Sequence, residues 1–493
     1  MLCSFQKSKS NQRSLNQLKA AESVSFTSDI WTDDNSSKAF ISLTGHYLNT
    51  ETMKRHNPTL ATRTFQERHT AENISKMLDD LVDEWKLEGK CHVLVHDNAA
   101  NMVAGVRRCK VAGVGCFIHL LQLCINDAIL SQWAIADILV IARKIAGHFA
   151  HSVVANEKLA VIQEELKLPK HKIMQDVKTR WNSTYYMLER LYEQRQAVTT
   201  YGLSNDINIL TNGQYALIAN ILQVLKPFEE LTVTCSEENC TISVIIPSVL
   251  MLVKYLGKRQ KDAGVQTLKE ELKKSVTSRF IEGRTLSIKK KELTIATLLD
   301  PRYKEAFFQD EDAKSVKMDL IDALVEYEEQ QSVMQQEREE EPIDVDIDEL
   351  NSSGSSSTED IVKTSHDDYW QCFDEITSSK PDFETSSGED EMSSGDTDRP
   401  KKRHPLKAGC FLAEVDKYLS LPRIDRKEDP LHWWFLHKSE FKVLMPMVFK
   451  YLSAPPSSVN SERMFSAAGH IYLENRNKLA PEHAEQLIFL MKN

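Results

Sequence analysis

The 493-residue chain has no uncharged apolar run long enough to span a membrane, and its first residues lack the apolar core of a signal peptide. It has no C-x-x-C pair; nine cysteines, an odd number, are scattered along it. That distribution argues against a disulfide framework and for a reduced, intracellular setting. An overall basic excess is missing too, since the formal net charge is −11. The acidity is local, however. Between Glu326 and Asp398 stand 24 acidic and 3 basic residues, a net of −21, which leaves the rest of the chain near +10. The folded part is therefore mildly basic, which permits phosphate contacts without requiring them. A hydrophobic fraction of 41% with 27% charged residues fits a globular protein with some disordered stretches, long enough for two or three domains.

Residues 1–22 are polar and show no clear periodicity. Val24, Phe26 and Asp29-Ile30-Trp31 then alternate, Lys38–Leu48 is rich in β-branched and aromatic residues, and Met53–Phe65 offers a third strand. From an N-cap at Thr70, the residues Ile74, Met77, Leu78, Leu81, Val82 and Trp85 recur with helical spacing. Cys91–His96 is a short apolar run that ends at Asp97. Three strands, a helix and a strand is the opening order of an RNase H-like fold. From Val114 to about Tyr201 the period is helical, with further helical stretches at Gly213–Glu230, Pro247–Lys258 and Val265–Ile281. The acidic, Ser-rich stretch Glu326–Asp398 has too little apolar surface to fold alone. A basic run, Arg399-Pro400-Lys401-Lys402-Arg403-His404, follows it directly, and helical character returns from Phe411.

Asp29 and Asp97 stand at strand ends 68 positions apart. In neighbouring strands of one sheet, both could reach a common point beyond its edge. Carboxylates converging there suit a hard cation such as Mg²⁺ or Mn²⁺, and paired metals can activate a nucleophile and stabilise a leaving oxygen at a phosphodiester. Spacing alone also allows ordinary turn acids, since turns collect Asp, and it cannot find a third ligand among 72 Asp and Glu residues.

A family resemblance supplies the third. Phe26-Thr27-Ser28-Asp29-Ile30-Trp31-Thr32 and His96-Asp97-Asn98-Ala99-Ala100-Asn101-Met102 resemble the blocks around the first two catalytic acids of hAT-superfamily DNA transposases. Cys116-Phe117-Ile118-His119 resembles their C-x-x-H helix, Thr179-Arg180-Trp181-Asn182-Ser183-Thr184 their R-W element, and Leu299-Asp300-Pro301-Arg302 their L-D-P-R element. Trp433-Trp434 and Ser458-Val459-Asn460-Ser461-Glu462-Arg463-Met464-Phe465-Ser466 are similar to the family's C-terminal region, which puts the third acid at Glu462. The wording is most similar to BED-finger-type, transposase-derived proteins of animals.

The resemblance implies an α/β plus all-α protein, with an RNase H-like (DDE) core interrupted by a large helical insertion domain. That insertion accounts for the 365 positions between Asp97 and Glu462. The expected division is a polar segment (1–22), the first part of the core (23–112), the helical insertion (113–325), the acidic Ser-rich disordered segment (326–398), the basic run (399–404) and a C-terminal dimerisation region completing the core (405–493). Asp29, Asp97 and Glu462 would be catalytic and would hold Mg²⁺ or Mn²⁺. DNA and a second copy of the chain are the implied partners, and no membrane is.

Several residues have two readings. Arg180 and Trp181 fit DNA, by phosphate contact and base stacking, while Trp181 fits the core equally well. Trp433 and Trp434 fit the helical core or a dimer contact. Cys116 and His119 have zinc-like spacing, but a structural zinc needs four ligands; packing around the second acid is preferred, and no zinc site is expected. The run containing Arg399, Lys401, Lys402 and Arg403 reads as a nuclear localisation signal, hence a nuclear protein, with a solvated basic turn as the alternative. Relatives carry an N-terminal BED zinc finger, whose paired ligands are not found before Ser23, so truncation or a finger supplied elsewhere is expected. Two functions stay open: a DDE-type transposase that cleaves and joins DNA strands, and a domesticated DNA-binding regulator or interaction module with the same core as scaffold.

Overall fold

Alternation of apolar and hydroxyl-bearing residues gives Val24–Ser28 (β1) two unlike faces, and the sheet is built outward from that strand. The computed structural model describes residues 15–32, 38–177, 179–258, 264–283, 286–338, 366–378 and 405–471. Ile30–Thr32 (β2) continues the line of β1, the two separated only by Asp29. Both pair antiparallel with Ala39–Leu48 (β3), Ser25 opposite His46 and Ile30 opposite Ile41. Arg55–His56 (β4) and Thr59–Thr64 (β5) also pair with β3. On the far side of β1, Cys91–His96 (β6) and then Ala112–Gly115 (β7) add in parallel. Across the sheet the order is β5, β3, β1, β6, β7.

One face is apolar. Val24, Phe26, Ile41, Leu43, Leu60 and Leu94 pack there with Ile74, Leu78 and Leu81 of the helix Ala71–Asp83. Its N-cap is Thr70, whose side chain accepts from the Asn73 amide at 3.3 Å. Trp85, expected to end that helix, instead lies buried in the turn after it. The other face of β1, β3 and β5 presents Ser25, Thr27, Ser42, Thr44, His46 and Thr62, all buried. Buried hydroxyls need hydrogen-bonding partners. Part of that need is met by the C-terminal segment, where Ser25 Oγ lies 2.8 Å from Ser453 Oγ. Strand β6 is buried on both faces, as parallel strands usually are: Leu94 joins the apolar core, while Val93 and Val95 join the helical one.

Helices Phe117–Leu130, Trp133–His151 and Val153–Glu165 begin the helical block. A non-helical stretch over residues 168–177 interrupts it, pinned where the side-chain amide of Gln163 donates to His171 O and that of Gln194 to Pro169 O. Trp181–Glu193, Arg195–Ser204, Asn212–Thr234, Ile245–Gly257 and Gln266–Val276 follow, close to the expected helices. After Pro430–His437 and Met445–Tyr451 the chain returns to the sheet. There the Phe117 amide donates to Pro456 O at 3.0 Å and the Ile242 amide to Ala454 O at 2.9 Å.

Three sequence expectations need correction. The helical block does not begin at 113, because Ala112–Gly115 is the parallel strand β7. Ala-Gly-Val-Gly has little strand propensity of its own. Close packing selects it: a Cβ on Gly113 would sit 2.5 Å from Val106 Cγ1. The acidic segment is not uniformly without structure either. Helix Asp310–Arg338 enters it, and His366–Ser378 docks Tyr369 edge-on to Tyr255 and Phe373 against Phe307. Apolar surface too small for a core of its own suffices when a neighbour provides the other half. Finally, the polar N-terminal segment is helical over residues 15–20 and buries Leu18 completely. The basic run of Arg399, Lys401, Lys402 and Arg403 lies outside the described residues.

Candidate active site

Register places the first two acids. Ser28 pairs with His96 in the parallel β1–β6 ladder, so Asp29 and Asp97 stand level just beyond it, on strands about 4.8 Å apart. Gly115 pairs with His96 on the other side, which brings Cys116 level with Asp97. Asp29 is tied to β3, its carbonyl accepting from the Ser42 amide at 3.1 Å.

Glu462 arrives from the far end of the chain, in the first turn of the helix Val459–Ile471. That helix docks on the hydroxyl face. Thr27 Oγ1 lies 2.9 Å from Ser461 Oγ, Thr62 Oγ1 donates to Met464 Sδ at 3.4 Å, and Phe465 stacks on Trp31 at 5.9 Å. Burial pushes the Asp29 carboxyl up from 3.8 to about 7, and the negative charges of Glu462 and then Asp97 add to the effect. Asp97 is also raised by burial, partly offset by the Ala99 amide donating to Oδ1 at 3.3 Å and by His119. Asp29 therefore feels both other acids. Among the described residues, no three His, Cys, Asp or Glu side chains are gathered closely enough to hold a metal ion.

Cys116 binds the site together. Its amide donates to His96 O at 2.7 Å, its carbonyl accepts from Asn98 Nδ2 at 2.9 Å, and its sulfur accepts from the Ser458 amide at 3.4 Å. One residue thus brackets Asp97 on both sides and holds the lead-in to Glu462. Burial pushes its thiol up to about 11, so it stays neutral. This is the packing and orienting role preferred from the sequence.

Of the R-W pair, Arg180 is exposed at the start of its helix. Trp181 is buried, edge-on to Tyr185 at 6.2 Å, so its ring serves the core as the fold stands. Asn182, next to it, lines a cavity of about 320 Å³ together with Thr232, Ser236, Glu237 and Arg463, the neighbour of Glu462. The R-W element and the third acid's helix thus border one cavity. Trp434 is fully buried, its indole donating to Leu299 O at 2.9 Å, and Trp433 stacks on His437 at 3.9 Å; both serve the helical core. Asp300 of the L-D-P-R element is fully buried and gripped by Arg302 through Nε at 2.9 Å and a terminal nitrogen at 2.7 Å. Two residues gave no sequence signal: His46, a lone histidine in an alternating strand, and Asn57, in the turn between β4 and β5. Both hydrogen-bond behind the site.

Three family models match the chain: the ZBED1 RNase-like domain over residues 27–111, the ZBED1 RNase-like helical domain over 114–224, and the hAT family C-terminal dimerisation region over 414–493. Among curated proteins, zinc finger BED domain-containing protein 4 of Homo sapiens is 28% identical over 97% of this chain and 38% of its own length. Zinc finger BED domain-containing protein 6 of Mus musculus is 28% identical over 96% of the chain and 48% of its own length. A Zea mays protein assigned as an AC transposase is 23% identical over 94% of the chain and 56% of its own length. The chain thus spans half or less of the length of the two animal relatives.

Proposed function

The chain belongs to the hAT family of transposase-derived proteins, and on that premise we propose that it is a nuclear, self-associating DNA-binding protein whose Asp29, Asp97 and Glu462 form a metal-dependent strand-cleaving site in an RNase H-like DDE core. The observation carrying this reading is the level placement of Asp29 and Asp97 just beyond the paired ends of β1 and β6, with Asp29 feeling the charge of Glu462 as well. Like charges in a partly buried site raise a carboxyl in this way, and a cation would relieve them. The strand order also supports it, three antiparallel strands followed by two parallel ones.

Carboxylates alone suit Mg²⁺ or Mn²⁺, which when bound would supply activation of a water or 3′-hydroxyl and charge stabilisation at the phosphodiester. The chain's own residues do the rest. Asp29 keeps its proton to about pH 7 when no cation is present. Cys116 holds the Asp97 turn against the lead-in to Glu462. Arg180, exposed at a helix N-terminus, faces solvent where a phosphate can pair with it. Self-association is assigned to the C-terminal dimerisation region and nuclear import to the basic run at 399–404.

A specific observation favours a second reading, a domesticated DNA-binding regulator that uses the same core as scaffold: no metal-ready group of three side chains is found among the described residues. The deciding experiment is strand cleavage with Mn²⁺ on DNA carrying candidate terminal repeats, comparing wild type with Asp97→Ala. Nicking that requires Mn²⁺ and disappears in the variant supports the enzyme. DNA binding that is equal in both and independent of metal, with no nicking, supports the regulator.

A further inference from the structure

Behind Glu462 a file of hydrogen bonds crosses the hydroxyl face of the sheet. His46, fully buried on β3, has Nδ1 2.8 Å from Asn57 Oδ1 and Nε2 3.0 Å from Thr27 Oγ1. Thr27 Oγ1 is in turn 2.9 Å from Ser461 Oγ, also fully buried. Ser461 immediately precedes Glu462, and Thr27 stands two residues before Asp29.

The ends of the file fix its direction. An amide oxygen only accepts, so His46 Nδ1–H donates to Asn57 and Nε2 is left as an acceptor. The Thr27 hydroxyl then donates to Nε2, and its oxygen accepts from Ser461. Burial lowers His46 to about 3, so the ring is neutral at any ordinary pH and keeps this tautomer. Beyond Glu462, Arg463 on Ser236 O, Met464 on Thr62 and Phe465 on Trp31 hold the body of the last helix. The first turn is held at its start by the Ser458 amide on Cys116 and, at the residue before Glu462, by the Thr27–Ser461 bond, which ties it to β1.

We propose that His46 is a positioning residue for the third acid, its single tautomer orienting Thr27 and Ser461 and so fixing the turn that carries Glu462 beside Asp29. Its catalytic consequence rests on the strand-cleaving reading above; its structural half does not. An apolar residue at position 46 leaves the Thr27 proton to turn towards Ser461. The Ser461 proton then has no acceptor in a fully buried site, a cost of about 1–3 kcal/mol for such a group. Glutamine can replace the ring in both senses, its oxygen accepting from Thr27 and its nitrogen donating to Asn57.

The test compares His46→Phe with His46→Gln by amide hydrogen exchange over residues 458–465, by Mn²⁺-dependent nicking, and by DNA affinity from fluorescence anisotropy. His46→Phe is expected to exchange several-fold faster at those amides. It should nick about tenfold to a hundredfold more slowly, the scale of a small misplacement in a reacting site. Its DNA affinity should stay at wild-type strength, and His46→Gln should match wild type in all three. Unchanged exchange in His46→Phe overturns the proposal, and so does a His46→Gln variant as impaired as His46→Phe, which would make ring packing the cause. If wild type does not nick, the strand-cleaving reading fails while exchange still decides the positioning role. Should His46→Phe not fold, Asn57→Leu at the half-buried end of the file carries the test. It frees the ring to take the other tautomer, and the same local loosening is expected.

Discussion

Replacing Asp29 by asparagine should make the metal-free protein more stable at pH 8, with the gain shrinking as the pH falls. In the unfolded chain this carboxyl ionises near 3.8; in the fold, burial and then the charges of Glu462 and Asp97 hold it back to about 7. Between those two values the folded protein keeps a proton that the unfolded chain has released, so stability falls with rising pH across that window and levels off above about 7. At 1.36 kcal/mol per pH unit the full window is worth about 4 kcal/mol, and partial exposure to water discounts this to about 2. Asparagine has the shape of the protonated acid and can still accept from the Ile30 amide, so it removes the charge and little else. Urea denaturation in EDTA at pH 5 and pH 8 measures the difference, which at pH 5 should be less than half its pH 8 value. On the proposed strand-cleaving reading, in which Asp29 is a metal ligand, saturating Mn²⁺ should then reverse the order; a hundredfold excess over Kd adds about 2.7 kcal/mol to the form that binds. An asparagine variant no more stable than wild type at pH 8, or a gain that does not depend on pH, would refute the reasoning.

The same proton should govern metal uptake. Mn²⁺ affinity measured by calorimetry is expected to rise by up to about tenfold per pH unit below about 7 and then to flatten, and Asp29→Asn should remove most of that slope. Cys116→Ala leaves the Ser458 amide without its sulfur acceptor and opens a void, so thermal denaturation should show a loss of about 1–3 kcal/mol, while Cys116→Ser should lose less. Arg302→Met strands the buried Asp300 carboxylate and should cost about 3–5 kcal/mol. Adding Asp300→Asn should recover much of that loss in a double-mutant cycle, and simple additivity of the two losses would contradict the pairing.

Much of the molecule was legible because its signals are local. The helix from Thr70 announces itself by an N-cap and by apolar residues at helical spacing, and β6 by a short apolar run ending in Asp97. Parts that depend on a distant partner were not legible. Strand β7 has almost no propensity of its own, and the helix His366–Ser378 lies in a stretch whose composition argues for disorder. By sequence Trp181 fits DNA and the core equally well, and only its burial beside Tyr185 places the ring in the core.

The sequence by itself determined the ancestry and singled out three candidate acids, because Asp29, Asp97 and Glu462 each sit in a short block of residues that resembles the family without reference to any fold. Tertiary structure alone decided how those acids relate. The parallel register of Ser28 with His96 sets Asp29 and Asp97 level, and the buried Thr27–Ser461 bond docks the helix of Glu462, 365 positions on, near enough for its charge to raise Asp29. Periodicity is a property of a few neighbouring residues. Register and docking depend on which buried hydroxyls and apolar faces find partners, and those partners lie hundreds of residues away.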